Sequence, residues 1–154
     1  MMPSLPEGYR TLIIGSSGTI GSAFLELLQS DPRCSQAIGI HRQSSPAINY
    51  ADEASIEMAA EALASSGPFH LIINAIGILH TDVWSPEKKG ADLCFGQLEA
   101  IFRINAFGPA VTLAKFSACG RAAHALAVVH WGCWWLRYSF LSSGPLPLSS
   151  RRMG

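Results

Sequence analysis

The stretch TLIIGSSGTIGSAFLELL, from Thr11 to Leu28, constrains the fold of this chain more than any other. Four strand-forming residues lead into three glycines at the spacing G-x-x-G-x-x-G, and an amphipathic run follows them. A strand that enters a helix through a glycine turn directs free N–H groups and the positive helix end toward one point, which favours a phosphate. The alternative is that the glycines only make a tight strand-to-helix turn.

The first 116 residues alternate predicted strands and helices. Runs at 36–42, 47–50 and 69–77 predict further strands, and runs at 52–67 and 96–116 predict helices. The spacing predicts these core-facing residues in the first and last helices: Ile20, Ala23, Phe24, Leu27 and Leu28, then Leu98, Ile101, Phe102, Asn105, Thr112, Leu113 and Phe116. Alternating strands and helices predict an α/β, Rossmann-like fold with a doubly wound parallel sheet.

Each glycine of the opening motif has a predicted role in such a fold. Gly15 permits the tight turn, Gly18 lets the backbone approach a pyrophosphate, and Gly21 lets the helix pack on the strand. The hydroxyl groups of Ser16 and Ser17 add hydrogen-bond donors. A P-loop is excluded, because Ser-Ala follows the last glycine where that motif requires Lys.

The end of the second predicted strand indicates which dinucleotide is bound. An acidic residue there holds the ribose 2′-OH of NAD, whereas an arginine accommodates the 2′-phosphate of NADP. The strand ends in GIHRQSS, with His41 and Arg42 and no carboxylate. The pattern favours NADP over NAD, and the alternative is an ordinary surface arginine.

Composition argues against several other functions. The chain is 49% hydrophobic, 14% charged and without net charge, so it is globular and nucleic acid is not an expected partner. The four cysteines (Cys34, Cys94, Cys119 and Cys133) lack metal-site spacing. The N-terminus does not resemble a signal peptide, and no apolar run is long enough to span a membrane. We expect reduced thiols and a cytoplasmic location.

Three motifs in order resemble the short-chain dehydrogenase/reductases, particularly the small C-factor-like members. They are GSSGTIG, NAIG at the end of the run 69–77, and RINAFGP in the last helix, and the match covers 11–116. The resemblance implies NADP(H)-dependent hydride transfer to or from a carbonyl or alcohol. It also implies an active-site role for Asn105 and cofactor contacts from Gly15, Ser16, Ser17, Gly18, Thr19, Ile20, Gly21, His41, Arg42, Asn49, Asn74, Ala75 and Gly77.

Pro109 lies four residues after Asn105 in the last predicted helix. It lacks the N–H that would bond the carbonyl of Asn105, so we expect a kink and one free acceptor. The family is thought to use this asparagine carbonyl to hold a water in its proton relay. The alternative is a structural kink with a satisfied core amide.

The resemblance also implies a catalytic serine and a Tyr-x-x-x-Lys pair, which the sequence lacks. After Phe116 the only tyrosine is Tyr138, and Ser142 occupies the lysine position. A phenol near its ordinary pKa of about 10 is a poor acid or base at neutral pH. We therefore expect this chain to be inactive as it stands.

All 11 acidic residues lie at or before Glu99, whereas 117–154 contain four arginines and no acidic residue. We divide the chain into a Rossmann-like part, 1–116, and an atypical tail, 117–154, whose composition resembles translation in a shifted frame. Three interpretations follow: a reductase with other catalytic groups, a non-catalytic dinucleotide-binding or dimerisation module, or a truncated, non-functional product. An incomplete sheet also predicts self-association.

Overall fold

A computed structural model describes residues 5–80, 83 and 93–118. The elements are β1 (Tyr9–Ile14), α1 (Thr19–Gln29), β2 (Cys34–Ile40), α2 (Glu53–Ala62), β3 (Leu71–Asn74), α3 (Phe95–Phe102) and α4 (Gly108–Ala118). A 3₁₀ turn, Ala64–Ser66, follows α2, and a π-helical segment, Arg103–Phe107, joins α3 to α4. The atypical tail lies outside the described residues except for the end of α4, so the boundary at 116 stays a prediction.

The described strands form one parallel sheet in the order β2-β1-β3. Ile14 at the end of β1 lies opposite Ile40 of β2 and Asn74 of β3. The three carboxyl ends are therefore level, and the chain leaves all of them at one edge. Since β1 has a later strand on each side, this edge is a topological switch point, where open α/β sheets bind ligands.

Helices cover both faces of the sheet. Leu12, Ile14 and Ile40 belong to one buried cluster, which also contains residues of α2 and Phe116 of α4. On the other face, strand residues pack with Leu28 of α1 in a second cluster: Tyr9, Ile13, Leu71 and Ile73. The predicted α/β, doubly wound parallel architecture is confirmed.

Helix α1 forms as predicted, but part of its predicted core face is wrong. Gly21 and Leu28 are buried, whereas Ile20 is 40% exposed, Leu27 is 65% exposed and Ala23 is also exposed. The close approach of Gly21 to Gly15 and Ser16, in the turn after β1, fixes the rotation of the helix. The position of Gly21, and not that of the largest apolar side chains, therefore determines which face of α1 is buried.

The short strand predicted at 47–50 is not a strand. Ile48 and Tyr50 are buried, which explains the strand-like pattern. The backbone N–H of Ile48 donates to the carbonyl of His41, and that of Asn49 donates to Ser55 Oγ. Because these donors are used locally, the segment does not extend the sheet.

The helix predicted at 96–116 is interrupted where the sequence indicated a kink. Its middle is the π-helical segment, in which the N–H of Gly108 donates to the carbonyl of Arg103, five residues back. A π turn just before Pro109 accommodates a residue that lacks an N–H. Phe116 and Thr112 are buried as predicted, but Phe102 is 43% exposed, so its predicted core position is wrong.

Candidate functional site

The glycine turn connects β1 to α1 at the carboxyl edge of the sheet. Gly15 has φ +89°, a conformation that side chains rarely adopt. A Cβ at Gly15 would also lie 3.0 Å from the backbone of Ala75 and Ile76, which follow β3. The first glycine is therefore required by its own conformation and by the close approach of the segment after β3.

Gly21 and Gly18 have different surroundings. A Cβ at Gly21 would overlap the carbonyl oxygen of Gly15, so this glycine brings the first turn of α1 against the backbone of the glycine turn. At Gly18 the nearest atom to an added Cβ is the carbonyl oxygen of Gly15, at an ordinary 3.5 Å, and φ is −82°. The protein itself gives no steric reason for glycine at position 18.

Gly18 is the N-cap of α1, and no side chain caps this helix end. The first turn contains no acidic residue, and both Thr19 and Ile20 are exposed. The N–H groups of a helix's first turn have no partner within the helix. An open glycine beside these donors is therefore a suitable cradle for an anion.

The two serines of the turn have separate environments. Ser16 is buried, and its side chain would contact a Cβ placed at Gly39 of β2, at 2.7 Å. Ser17 is exposed and lines a polar cleft. Of the two hydroxyl groups predicted as donors, only that of Ser17 is therefore at the cleft.

This cleft lies where β2 ends and has a volume of about 350 Å³. Among the described residues it is lined by Ser17, His41, Arg42 and Gln43, which include a guanidinium and no carboxylate. Arg42 is exposed and forms no ion pair or hydrogen bond with the described residues. Next to the glycine turn, which contributes Ser17, the cleft thus has a cation without a partner in the described part of the chain, together with hydroxyl and amide donors.

Local hydrogen bonds fix the orientation of His41. Its Nδ1 accepts a hydrogen bond from the backbone N–H of Gln43, at 3.2 Å. Its own N–H and carbonyl both bond Ser44 Oγ, at 2.8 and 2.9 Å. An imidazole whose Nδ1 is an acceptor carries its proton on Nε2, so His41 is a donor through Nε2.

Asn74 closes β3 and is buried. Its Oδ1 accepts hydrogen bonds from the Tyr50 hydroxyl at 2.9 Å and from the Ile76 N–H at 3.2 Å. The next residue, Ala75, continues the sheet by donating its N–H to the carbonyl of Ile14, at 2.7 Å. Burial raises the pKa of Tyr50 well above its ordinary value, so its hydroxyl remains a donor at neutral pH.

Asn105 lies in the π-helical segment and is half-buried. Its Oδ1 accepts from the N–H of Ile78 at 2.9 Å, and its Nδ2 donates to the carbonyl of Ile78 at 2.7 Å. This reciprocal pair joins the long helix to the segment after β3. The side-chain amide is thus satisfied, as the structural interpretation of the kink expected.

The structure brings most of the predicted site residues to one edge and leaves one apart. The glycine turn, His41, Arg42 and the segment 74–77 all follow the level ends of the three strands. Asn49 is exposed, and its Oδ1 accepts from the N–H of Ala51 at 3.1 Å. Its side chain does not line the cleft.

Sequence reasoning missed three residues of this edge. Gln43 lines the cleft, and the only signal for it was its position next to Arg42. Tyr50 donates a hydrogen bond to Asn74, and the only sequence signal for this residue was its place in an apolar run that predicts a strand. Ile78 contacts Asn105 through backbone atoms, for which a side-chain pattern carries no signal.

The described part of the chain contains neither a metal-binding cluster nor a membrane-spanning helix. No group of three or more His, Cys, Asp or Glu side chains there is arranged to hold a metal ion. Cys34 and Cys94 are free thiols. None of the helices in residues 5–80 and 93–118 is long and apolar enough to cross a membrane.

Comparisons with known proteins bear on the fold of this chain. No protein-family model and no curated protein matches the sequence. Among solved structures, the NADPH-bound carbonyl reductase from chicken fatty liver matches 75% of this chain and 49% of its own, with 15% identity and TM-score 0.62. A short-chain dehydrogenase/reductase from Serratia marcescens matches 74% of this chain and 53% of its own, with 16% identity and TM-score 0.58.

The similar structures do not all have dehydrogenase names. Ribose-5-phosphate isomerase from Brucella melitensis matches 73% of this chain and 46% of its own, with 20% identity and TM-score 0.55. The chain spans about half the length of these structures. Several of them are short-chain dehydrogenase/reductases, so the suspected resemblance is confirmed at the level of the fold.

Proposed function

We propose that this chain binds a nicotinamide dinucleotide at the carboxyl edge of its sheet and prefers NADP(H) to NAD(H). The observation that carries the proposal is the polar cleft of Ser17, His41, Arg42 and Gln43 beside an uncapped helix N-terminus. The pyrophosphate would lie over Gly18 and the first turn of α1. The 2′-phosphate would lie in the cleft.

Two features of the turn suit a pyrophosphate. A Cβ at Gly18 would make only an ordinary contact of 3.5 Å with the described residues, and the backbone conformation of Gly18 suits any residue. A glycine that the described packing does not require is explained if a ligand approaches the backbone there. The N–H groups at the start of α1 and the helix dipole would then stabilise the negative charge.

The cleft suits a phosphate better than a bare ribose. Recognition of the NAD ribose uses a carboxylate that accepts from the 2′-OH, and none of the described residues that line this cleft has a carboxylate. Arg42 offers a planar, permanently charged fork that matches two phosphate oxygens. The hydroxyl of Ser17 and the Nε2–H of His41 would add neutral donors.

Hydride transfer to or from a carbonyl or alcohol is the chemistry that the resemblance implies, and such a cofactor would supply the hydride when bound. Asn105 matches the family's active-site asparagine, but the sequence lacks the Tyr-x-x-x-Lys pair. We therefore propose dinucleotide binding without turnover at family rates. The cytoplasm is the expected location.

A second candidate function is association through the region of α3 and the π-helical segment. Phe95 is 86% exposed and Phe107 is 62% exposed, which is unusual for such large apolar side chains. Exposed apolar surface favours contact with another protein surface. A binding or dimerisation module would use this surface and would not require catalytic groups.

The proposal is tested by titrating the full chain and its Arg42→Ala variant with NADPH and NADH. Loss of a charge-assisted phosphate contact costs about 1.5–3 kcal/mol, so NADPH affinity should fall roughly 10- to 150-fold. NADH affinity should be unchanged. The control is Arg103→Ala, which removes another exposed arginine away from the cleft. Equal NADPH affinity in the wild type and Arg42→Ala would refute NADP recognition by this cleft.

A further inference from the structure

Tyr50 lies outside every motif of the sequence and yet contacts three parts of the site's framework. Its hydroxyl donates to Asn74 Oδ1 at 2.9 Å, a fully buried hydrogen bond. Its ring fills the space where a Cβ of residue 108 would be, so Gly108 at the start of α4 packs directly on it. It also belongs to the buried cluster under α2 and α4.

The hydrogen bonds of Asn74 connect Tyr50 to the backbone beside the glycine turn. Asn74 Oδ1 accepts from both the Tyr50 hydroxyl and the Ile76 N–H, so the amide is oriented by these two donors. Its Nδ2 is buried and has no hydrogen-bond partner among the described residues. The Tyr50 hydroxyl is therefore the side-chain group that holds this amide in place.

The backbone that Asn74 holds, Ala75–Ile76, also leaves no room for a side chain at Gly15. A Cβ at Gly15 would lie 3.0 Å from both the carbonyl carbon of Ala75 and the nitrogen of Ile76. A shift of the Ala75–Ile76 peptide therefore changes the space available to the glycine turn. Contacts of this kind transmit a small displacement, because close-packed groups have few alternative positions.

We propose that Tyr50 is a positioning residue for the dinucleotide site, acting through Asn74 on the Ala75–Ile76 backbone that borders the glycine turn. This inference rests on the proposed function for its ligand. It assigns Tyr50 no contact with the cofactor. The Tyr50 hydroxyl acts by keeping the wall of the site in the conformation that accepts the dinucleotide.

The test is Tyr50→Phe, which removes the hydroxyl and keeps the ring against Gly108. Amide hydrogen exchange of the labelled full chain, followed by NMR without cofactor, is read at two neighbouring positions. The Ile76 N–H depends on Asn74, whereas the Ala75 N–H bonds the carbonyl of Ile14. Loss of one buried hydrogen bond should accelerate exchange at Ile76 about fivefold more than at Ala75. NADPH affinity should fall by a similar factor.

The matched control is Ile48→Val, in the same buried cluster but with a purely hydrocarbon side chain. Its destabilisation should accelerate exchange at Ala75 and Ile76 equally and leave NADPH affinity unchanged. Equal acceleration at both amides in Tyr50→Phe would overturn the positioning role. Selective acceleration at Ile76 with unchanged NADPH affinity would overturn the link to the dinucleotide.

Two further results separate this inference from the proposed function. If the wild type does not bind NADPH, the proposed function fails, and the exchange ratio still decides whether Tyr50 orders the backbone. If Tyr50→Phe does not fold, the wild-type protein provides the measurement. An Ile76 amide that exchanges at the rate of an unprotected peptide would overturn the proposal.

Discussion

Alanine substitutions at Gly18 and Gly21 should separate a glycine needed by a ligand from one needed by the fold. The two residues are three positions apart in one turn. A Cβ at Gly18 would make an ordinary contact of 3.5 Å, whereas a Cβ at Gly21 would overlap the carbonyl oxygen of Gly15 and lie 2.7 Å from its carbonyl carbon. We expect Gly18→Ala to lose dinucleotide binding and Gly21→Ala to lose stability.

The magnitudes follow from these contacts. At Gly18, an N-cap, alanine caps less well than glycine by about 0.5–1 kcal/mol, and the lower entropy of the unfolded chain returns about 0.4–1 kcal/mol. The net change in unfolding free energy should be within about 0.5 kcal/mol. At Gly21 the atoms in the way are backbone, which cannot rotate aside, so overpacking should cost about 1–3 kcal/mol or more.

The assays are thermal unfolding by circular dichroism and titration with NADPH. Gly21→Ala should lower the midpoint by about 2–4 °C per kcal/mol for a chain of 154 residues. Gly18→Ala should unfold near the wild-type temperature. Its NADPH affinity should be at least about tenfold lower, because an added methyl holds the pyrophosphate away from the N–H groups. Wild-type NADPH affinity in Gly18→Ala would refute the assignment of this turn to a dinucleotide.

Two further predictions concern acid stability and turnover. Hydrogen bonds from the Arg33 side chain and backbone lower the pKa of Asp31 from 3.8 to about 2. The ionised carboxylate therefore stabilises the fold at pH values above its unfolded pKa, and this stabilisation is lost as the pH falls toward about 2. Urea midpoints of the wild type and Asp31→Asn should therefore differ at neutral pH and converge in acid; a constant difference would contradict this. Without the Tyr/Lys pair, the catalytic rate is expected to be roughly 10²–10⁴-fold lower than with a general acid–base. NADPH oxidation with ketones, aldehydes and quinones should therefore be negligible. Turnover of about 1 per second would show that other groups replace the pair.

Local sequence was sufficient where a residue's role depends on its neighbours along the chain. The glycine spacing predicted a strand–turn–helix, and β1 and α1 form around it. The run at 52–67 predicted a helix, and α2 forms there with Asp52 as its N-cap, whose Oδ1 accepts from the N–H of Ala54. Pro109 indicated an interruption because a missing N–H is a property of the residue itself.

Sequence was insufficient where the outcome depends on what lies across the structure. The segment 47–50 has a strand-like pattern because Ile48 and Tyr50 are buried, but its backbone donors are used within the loop. Residue pattern reports burial, and only the tertiary structure decides which partner satisfies the backbone. In α1, likewise, the close approach of Gly21 to Gly15 and Ser16 leaves Ile20 and Leu27 facing solvent.

The sequence by itself determined the architecture and several residues of the candidate site. Alternating apolar strands and helices require both faces of a parallel sheet to be covered, and the residue after β2 that favours NADP is visible as Arg42. Only the tertiary structure decided which of these groups meet. The level ends of the three strands bring the glycine turn and the segments after β2 and β3 to one edge. The hydrogen bond between Tyr50 and Asn74, which are 24 residues apart, joins the segment after β2 to the end of β3, because the fold brings them into contact.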